Sequence, residues 1–295
     1  MSRFQADITL VFITLIWGST FVVVKSALSS VGPLTFVAWR FTVATLVLLF
    51  LFRRRLQRLS VREARAGAVI GVWLALGYIL QTIGLQYTTT GKAGFITGLS
   101  VVLVPALAAL LLRQPPGLAA TLGVVLATVG LGFLTLDASL RPAPGDLWVL
   151  GCAVAFALHI LSVSHFAPRY DPLRLTVVQI ATVALLSLAA TFAFEVPSLR
   201  LPAPTWGSIV FTALAATVLT LSLQNSVQPF TTPTHTALIF SLEPVFAALF
   251  GWWWAGEVLG PKELVGCALI LAGMVVAELG GVVGASSPQA AEAEV

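Results

Sequence analysis

One pattern appears twice in this chain. Gln86-Tyr87-Thr88-Thr89-Thr90 is followed by Pro105 inside an apolar run, and Gln228-Pro229-Phe230-Thr231-Thr232 is followed by Pro244 inside another. Gly123 and Gly130 stand seven apart, and so do Gly266 and Gly273. The copies are offset by roughly 140 residues, and each holds five apolar runs. An odd number of crossings turns the second copy upside down in a membrane. Inverted repeats of that kind build transporters.

Composition supports a membrane solution. Charged residues are 9% of the chain, against about 25% in a soluble domain, which excludes an ordinary cytosolic enzyme. The apolar runs are 7–27, 34–52, 64–86, 91–112, 118–136, 146–165, 173–194, 205–227, 235–255 and 261–281. At about 20 residues per crossing they use about 200 residues, which leaves short loops and no soluble domain. Lipid offers no hydrogen-bond partner, so each run must be helical. The fold class read here is an all-α membrane protein, with ten transmembrane helices in two inverted five-helix repeats around a central cavity. Residues 1–137 form the first repeat, 138–145 a linker, 146–284 the second repeat, and 285–295 a disordered tail. The apolar stretch from Ile8 runs past Trp17 to Val24, so it reads as a retained first helix and not a cleaved signal.

Lys and Arg set the orientation. With the N-terminus in the cytoplasm, the inside holds Arg3, Arg53, Arg54, Arg55, Arg58, Arg62, Arg65, Arg113, Arg169 and Arg174, while Lys92, Arg141, Arg200 and Lys262 lie outside. This bias places both termini in the cytoplasm of a multi-pass protein of the plasma membrane, the inner membrane in a bacterium. The net charge of +4 comes from one membrane-side cluster and is not a nucleic-acid signature. Cys152 and Cys267 lie in apolar runs without metal-ligand spacing and read as buried free thiols.

Polar features inside the runs mark the candidate site. Pro105 and Pro244 each remove a helix donor, freeing the carbonyls of Val101 and Phe240. Matching interruptions in inverted halves point to a central site with a gating role, or else are packing kinks. Glu243 is eight residues into its run, about 12 Å deep in a core about 30 Å thick. A carboxyl there must be paired, protonated or in contact with a cavity. It reads either as a coupling group or as a structural carboxyl at the proline kink. Lys25 can snorkel to the interface. Arg40 needs an acceptor: a substrate carboxylate, or carbonyls of another helix. Trp17, Tyr78 and Gln81, Phe95, His159, and Gln224 and Asn225 complete the candidate substrate contacts, with interhelical bonding as the alternative for the amides and for His159. Trp252, Trp253 and Trp254 read as an interfacial belt. The paired glycines of the fifth and tenth runs permit close helix approach, expected within each half.

Trp17-Gly18-Ser19-Thr20-Phe21 is similar to the start of EamA-type members of the drug/metabolite transporter superfamily. So are Gly91-Lys92-Ala93-Gly94-Phe95-Ile96 leading to Pro105, and Ser241-Leu242-Glu243-Pro244-Val245-Phe246 followed by Gly256-Glu257. The resemblance covers residues 5–283, and Gln114-Pro115-Pro116 departs from it where an acidic residue is frequent. It implies ten helices in inverted repeats and the movement of small metabolites. Within the family the chain looks most like YddG-type exporters of aromatic and other amino acids.

The expected activity is therefore alternating-access export of small metabolites, chiefly aromatic and other neutral amino acids. Export of other small organic compounds or drugs, or a facilitative channel, is the alternative. No phosphate-binding loop or His-Glu-x-x-His spacing is present, so neither ATP drive nor metalloprotease chemistry is expected. No cofactor is expected. The partners are a small-molecule substrate and the bilayer, with no nucleic acid. The oligomeric state is open, and a monomer is compatible with it.

Overall fold

Helix caps decide where each apolar run begins. Ser2 and Gln5 form a capping box at the start of α1 (Arg3–Ala27), and Ser60 and Glu63 form another at the start of α3 (Val61–Tyr87). Pro33 opens α2 (Pro33–Leu56), where a missing N–H costs nothing. The helices consequently extend a few residues beyond the apolar stretches. These features come from a computed structural model, which describes residues 1–88, 90–113, 115–135, 143–255 and 260–285.

All regular structure among the described residues is helical. The fourth run is α4 (Thr90–Gly98) and α5 (Ser100–Leu112), the fifth α6 (Leu118–Thr135), and the sixth α7 (Pro144–Phe166). The seventh is α8 (Pro172–Phe194). The eighth is α9 (Ala203–Ala213), a π turn (Leu214–Leu219) and α10 (Thr220–Val227). The ninth is α11 (Pro233–Phe240) and α12 (Glu243–Ala255), and the tenth α13 (Pro261–Ala285). Among the described residues, eight helices are long and apolar enough to cross a membrane. The other two runs fall on α6, whose apolar part is shorter, and on α13. Residues 138–142 of the linker, 286–295 of the tail, and Gly256-Glu257 lie outside the described residues.

The helix breaks correct the proline reading. In the fourth run the interruption is at Leu99, and α5 continues through Pro105, its sixth residue. In the ninth run the chain breaks at Ser241–Leu242, and Pro244 is the second residue of α12. Proline is tolerated in a first turn because those donors have no helical partner anyway. Deeper in a helix it costs one bond without ending the helix.

The glycine reading is corrected too. The two pairs join the halves instead of packing within each. A Cβ on Gly123 would stand 2.6 Å from the Gly273 carbonyl, and one on Gly130 would stand 2.7 Å from that of Gly266. The order 123-to-273 and 130-to-266 makes α6 and α13 antiparallel. Without side chains at the crossings, the two backbones touch.

Around this seam, α3 packs between α7 and α8, α2 lies on α8 and α9, and α1 lies against α10, α11 and α12. Polar groups tie the helix ends. The Glu195 carboxylate, at the end of α8, accepts from the backbone N–H groups of Leu34 and Thr35 at 3.0 and 2.9 Å and from the Thr35 hydroxyl at 2.7 Å. At the opposite end Asp171 caps α8 and meets Arg55 at 3.4 Å. Arg174 pairs with Glu63 at 2.9 Å.

Candidate functional site

Helices from both halves enclose a central cavity. Its walls come from α1, α2, α3, the α4–α5 break, α7, α10 and the α11–α12 break. The cavity has an open volume of about 90 Å³, room for several waters. Aromatic and aliphatic groups form much of the wall, including Phe21, Phe36, Leu74 and Leu221.

The WGST segment on α1 builds one side through three different contacts. Gly18 lets the first turn of α12 approach, since a Cβ there would lie 2.9 Å from the Glu243 carbonyl and 2.7 Å from Phe246 Cβ. Trp17 stacks edge-on against Phe240, with centroids 5.0 Å apart. Its indole N–H donates to the Ala216 carbonyl and the Thr220 hydroxyl, both at 3.1 Å. Thr20 lines the cavity and returns its hydroxyl proton to the Trp17 carbonyl at 2.7 Å.

Arg40 crosses to the same place. Its Nε donates to Thr217 Oγ1 at 2.8 Å, and its Nη2 to the Ala216 carbonyl at 3.1 Å and to the Tyr78 hydroxyl at 3.3 Å. The guanidinium lies 4.6 Å from the Tyr78 ring centroid. Ala216 and Thr217 belong to the π turn, whose wider winding changes the ordinary helical pairing. The Ala216 carbonyl thereby serves two side chains, and Thr217 Oγ1 donates back to Thr212 at 2.9 Å. Of the two readings of Arg40, acceptors from another segment are present for two of its nitrogens, the Thr217 hydroxyl for Nε and the Ala216 carbonyl for Nη2.

Other polar wall groups are held by neighbours. Gln81 donates to Thr97 at 3.3 Å. His159 Nε2 is 3.1 Å from Gln179 Oε1. Gln224 donates to Gln228 Oε1 at 2.9 Å, and Gln228 donates to Ser164 and to the Ile160 carbonyl, each at 2.7 Å. Buried Gln224 Oε1 has no hydrogen-bond partner among the described residues.

The structure brings Trp17, Arg40, Tyr78, Gln81, His159, Gln224, Glu243 and Pro244 to one cavity. Phe95, Asn225 and Pro105 are not on its wall. Phe95 packs into the apolar cluster with Leu10 and Leu131, and Asn225 donates to Thr176 at 2.8 Å. Each follows a cavity residue, Gly94 or Gln224, and one residue turns a helix by about 100°. Thr97, Phe156 and the Phe240 side chain on the cavity wall, and Thr217, which accepts from Arg40, were not among the candidate substrate contacts. Membrane helices carry many Thr and Phe residues, and no local signal distinguishes those that face a cavity.

Among the described residues, no three metal-ligating side chains converge. The two cysteines are free.

Comparison with known proteins bears on the whole chain. A protein of Archaeoglobus fulgidus described as an uncharacterized transporter is 36% identical over 280 residues, 95% of this chain and 87% of that one. The Bacillus subtilis uncharacterized transporter YyaM is 25% identical, with 94% of each chain covered. The Escherichia coli threonine/homoserine exporter RhtA is 28% identical over 84% of this chain and 82% of its own length. A crystal structure 20% identical in sequence superposes with a TM-score of 0.76 over 93% of this chain and 98% of that one. That match speaks for the fold alone. The model of the EamA-like transporter family matches residues 5–136 and 143–278. The chain belongs to the EamA-like transporter family.

Proposed function

We propose that this transporter is a secondary exporter of small metabolites, chiefly aromatic and other neutral amino acids, resembling the YddG-type exporters. It works by alternating access, with ten spans in two inverted halves, 1–137 and 146–284, and both termini in the cytoplasm. The observation that carries this reading is the cavity itself. Both halves contribute to it, and it combines an aromatic wall with a few fixed polar groups. The RhtA relative supports amino acids as cargo, because its name is that of a threonine/homoserine exporter.

Two contacts between the halves support the rocking motion. At the N-terminal end of α1, Asp7 meets His235 of α11 at 3.4 Å. At the far end of α3, Thr88 donates to Asp146 of α7 at 2.6 Å. Each ties one half to the other at one face, so releasing one and keeping the other opens the cavity to a single side. The breaks at Leu99 and Ser241–Leu242 put flexible points beside the cavity, with Glu243 and Pro244 as coupling and gating groups. Pro105 lies inside α5 and off the cavity wall.

The test is counterflow of radiolabelled amino acids in proteoliposomes. Trp17→Ala and Tyr78→Ala are expected to abolish most saturable exchange while the protein stays monodisperse. Unchanged exchange in both variants would remove the cavity assignment. Single-channel currents in place of saturable exchange would favour the channel.

A further inference from the structure

We propose that the cavity takes a zwitterionic α-amino acid lengthwise, its ammonium on Glu243 and its carboxylate on Arg40. This rests on the amino-acid reading above and narrows it. The two groups come from different halves, Arg40 from α2 and Glu243 from α12, and both line the cavity. They do not meet as an ion pair, yet each lies within electrostatic reach of the other.

Each charged head is incompletely satisfied by the protein. Arg40 uses Nε and Nη2 on Thr217, Ala216 and Tyr78, while Nη1 has no hydrogen-bond partner among the described residues and is not sealed from the cavity. The Glu243 carboxylate likewise has neither hydrogen bond nor ion pair among the described residues, and the side chain is half-buried. An ionised group at that depth is costly unless partnered. An anion alone would satisfy Arg40 and repel Glu243, and a cation alone would do the reverse. A molecule with both charges on one carbon satisfies both. The apolar wall of Trp17, Phe21, Phe36 and Phe240 remains for its side chain.

The arrangement also assigns different work to the two residues. Arg40 is pre-positioned by its bonds to the π turn, so it presents Nη1 in a fixed direction. Glu243 makes no such bonds, so removing its charge leaves the protein's own hydrogen bonds intact. Glu243→Gln is therefore a test of binding and not of folding.

The experiment measures binding to purified protein in nanodiscs. The probes are L-phenylalanine, phenethylamine, which lacks the carboxylate, and N-acetyl-L-phenylalanine, which lacks the ammonium; L-threonine and its N-acetyl form make a second set. Wild type is expected to bind at least one amino acid roughly ten- to a hundredfold tighter than its analogues, the worth of one charged hydrogen bond. Glu243→Gln is expected to lose that factor for the amino acid and to bind its N-acetyl form no more weakly than wild type, because the repulsion of a lone carboxylate is removed. Arg40→Lys keeps the charge but loses the fork. It is expected to weaken the amino acid several-fold and spare phenethylamine. Wild-type affinity for the amino acid in Glu243→Gln, or equal wild-type affinity for the amino acid and its N-acetyl form, overturns the zwitterion site while amino-acid transport stands. Absence of binding for both amino acids overturns the amino-acid reading together with it.

Discussion

Replacing Gly123 by alanine tests the seam between the halves most directly. The new Cβ would lie 2.6 Å from the Gly273 carbonyl and 3.0 Å from Ala277 Cβ, where ordinary contact starts at 3.4 Å. The obstructing atom is backbone in the middle of a helix, so it cannot swing aside. The helices must separate locally by about 0.8 Å, a gap of the size that forfeits a quarter to a half of each dispersion contact. Ile270, Leu238 and Ala127 are among the fully buried groups around the seam. Helix association in lipid depends on such packing, because apolar burial supplies no driving force there. Overpacking of this kind costs about 1–3 kcal/mol. Gly207 is the control: it lies inside α9 and nothing is within 4 Å of its Cβ position. Alanine there is expected to be neutral or slightly stabilising, because it favours the helix. The assay is reversible unfolding by SDS in mixed micelles, followed by tryptophan fluorescence. The double variant Gly123→Ala/Gly273→Ala should cost less than the sum of its single variants, since one separation accommodates both methyls. Equal stability of the Gly123 and Gly207 variants, or strict additivity in the double variant, refutes the cross-half seam.

Two further outcomes follow from the helix ends. Glu195→Ala removes the acceptor for two backbone donors and one hydroxyl at the start of α2, so it should lower stability by about 1.5–3 kcal/mol in the same assay. A Glu195→Ala protein as stable as wild type would show that water replaces the carboxylate. With Cys152 and Cys267 replaced by alanine and Thr20→Cys placed in the cavity wall, Thr88→Val should raise labelling by a membrane-impermeant maleimide from the outer side. Asp7→Asn should not raise it. Equal labelling of the two would remove the one-face-at-a-time assignment of these contacts.

The bilayer made much of this protein legible from residue order alone. An apolar run in lipid has few choices other than helix, so the runs 34–52 and 173–194 locate α2 and α8 closely. Ser60 and Glu63 carry capping-box spacing as well, a signal that reading by hydropathy alone did not use. Depth placed Trp17, Tyr78 and Glu243 near the middle of the membrane, and the cavity collects all three. Direction around the helix axis was not readable without periodicity. That is why Phe95 and Asn225, each one residue from a cavity position, were included.

Partner choice belongs to the tertiary structure. Nothing local to Gly123 says that Gly273, and not a helix of its own half, will meet it, because small residues permit approach without naming the neighbour. Nothing in Leu214–Leu219 announces a π turn, yet that turn turns the Ala216 carbonyl toward both Trp17 and Arg40. The breaks show the same division. Proline marks where a donor is missing, but packing on both sides decides whether the helix ends there, as just before Pro244, or runs through, as at Pro105. Residue order, through hydropathy and charge, determined which apolar runs become helical and the direction they are expected to run. Contacts between segments more than a hundred residues apart decided which side chains share the cavity, because side-chain reach and backbone approach exist only once the helices have packed.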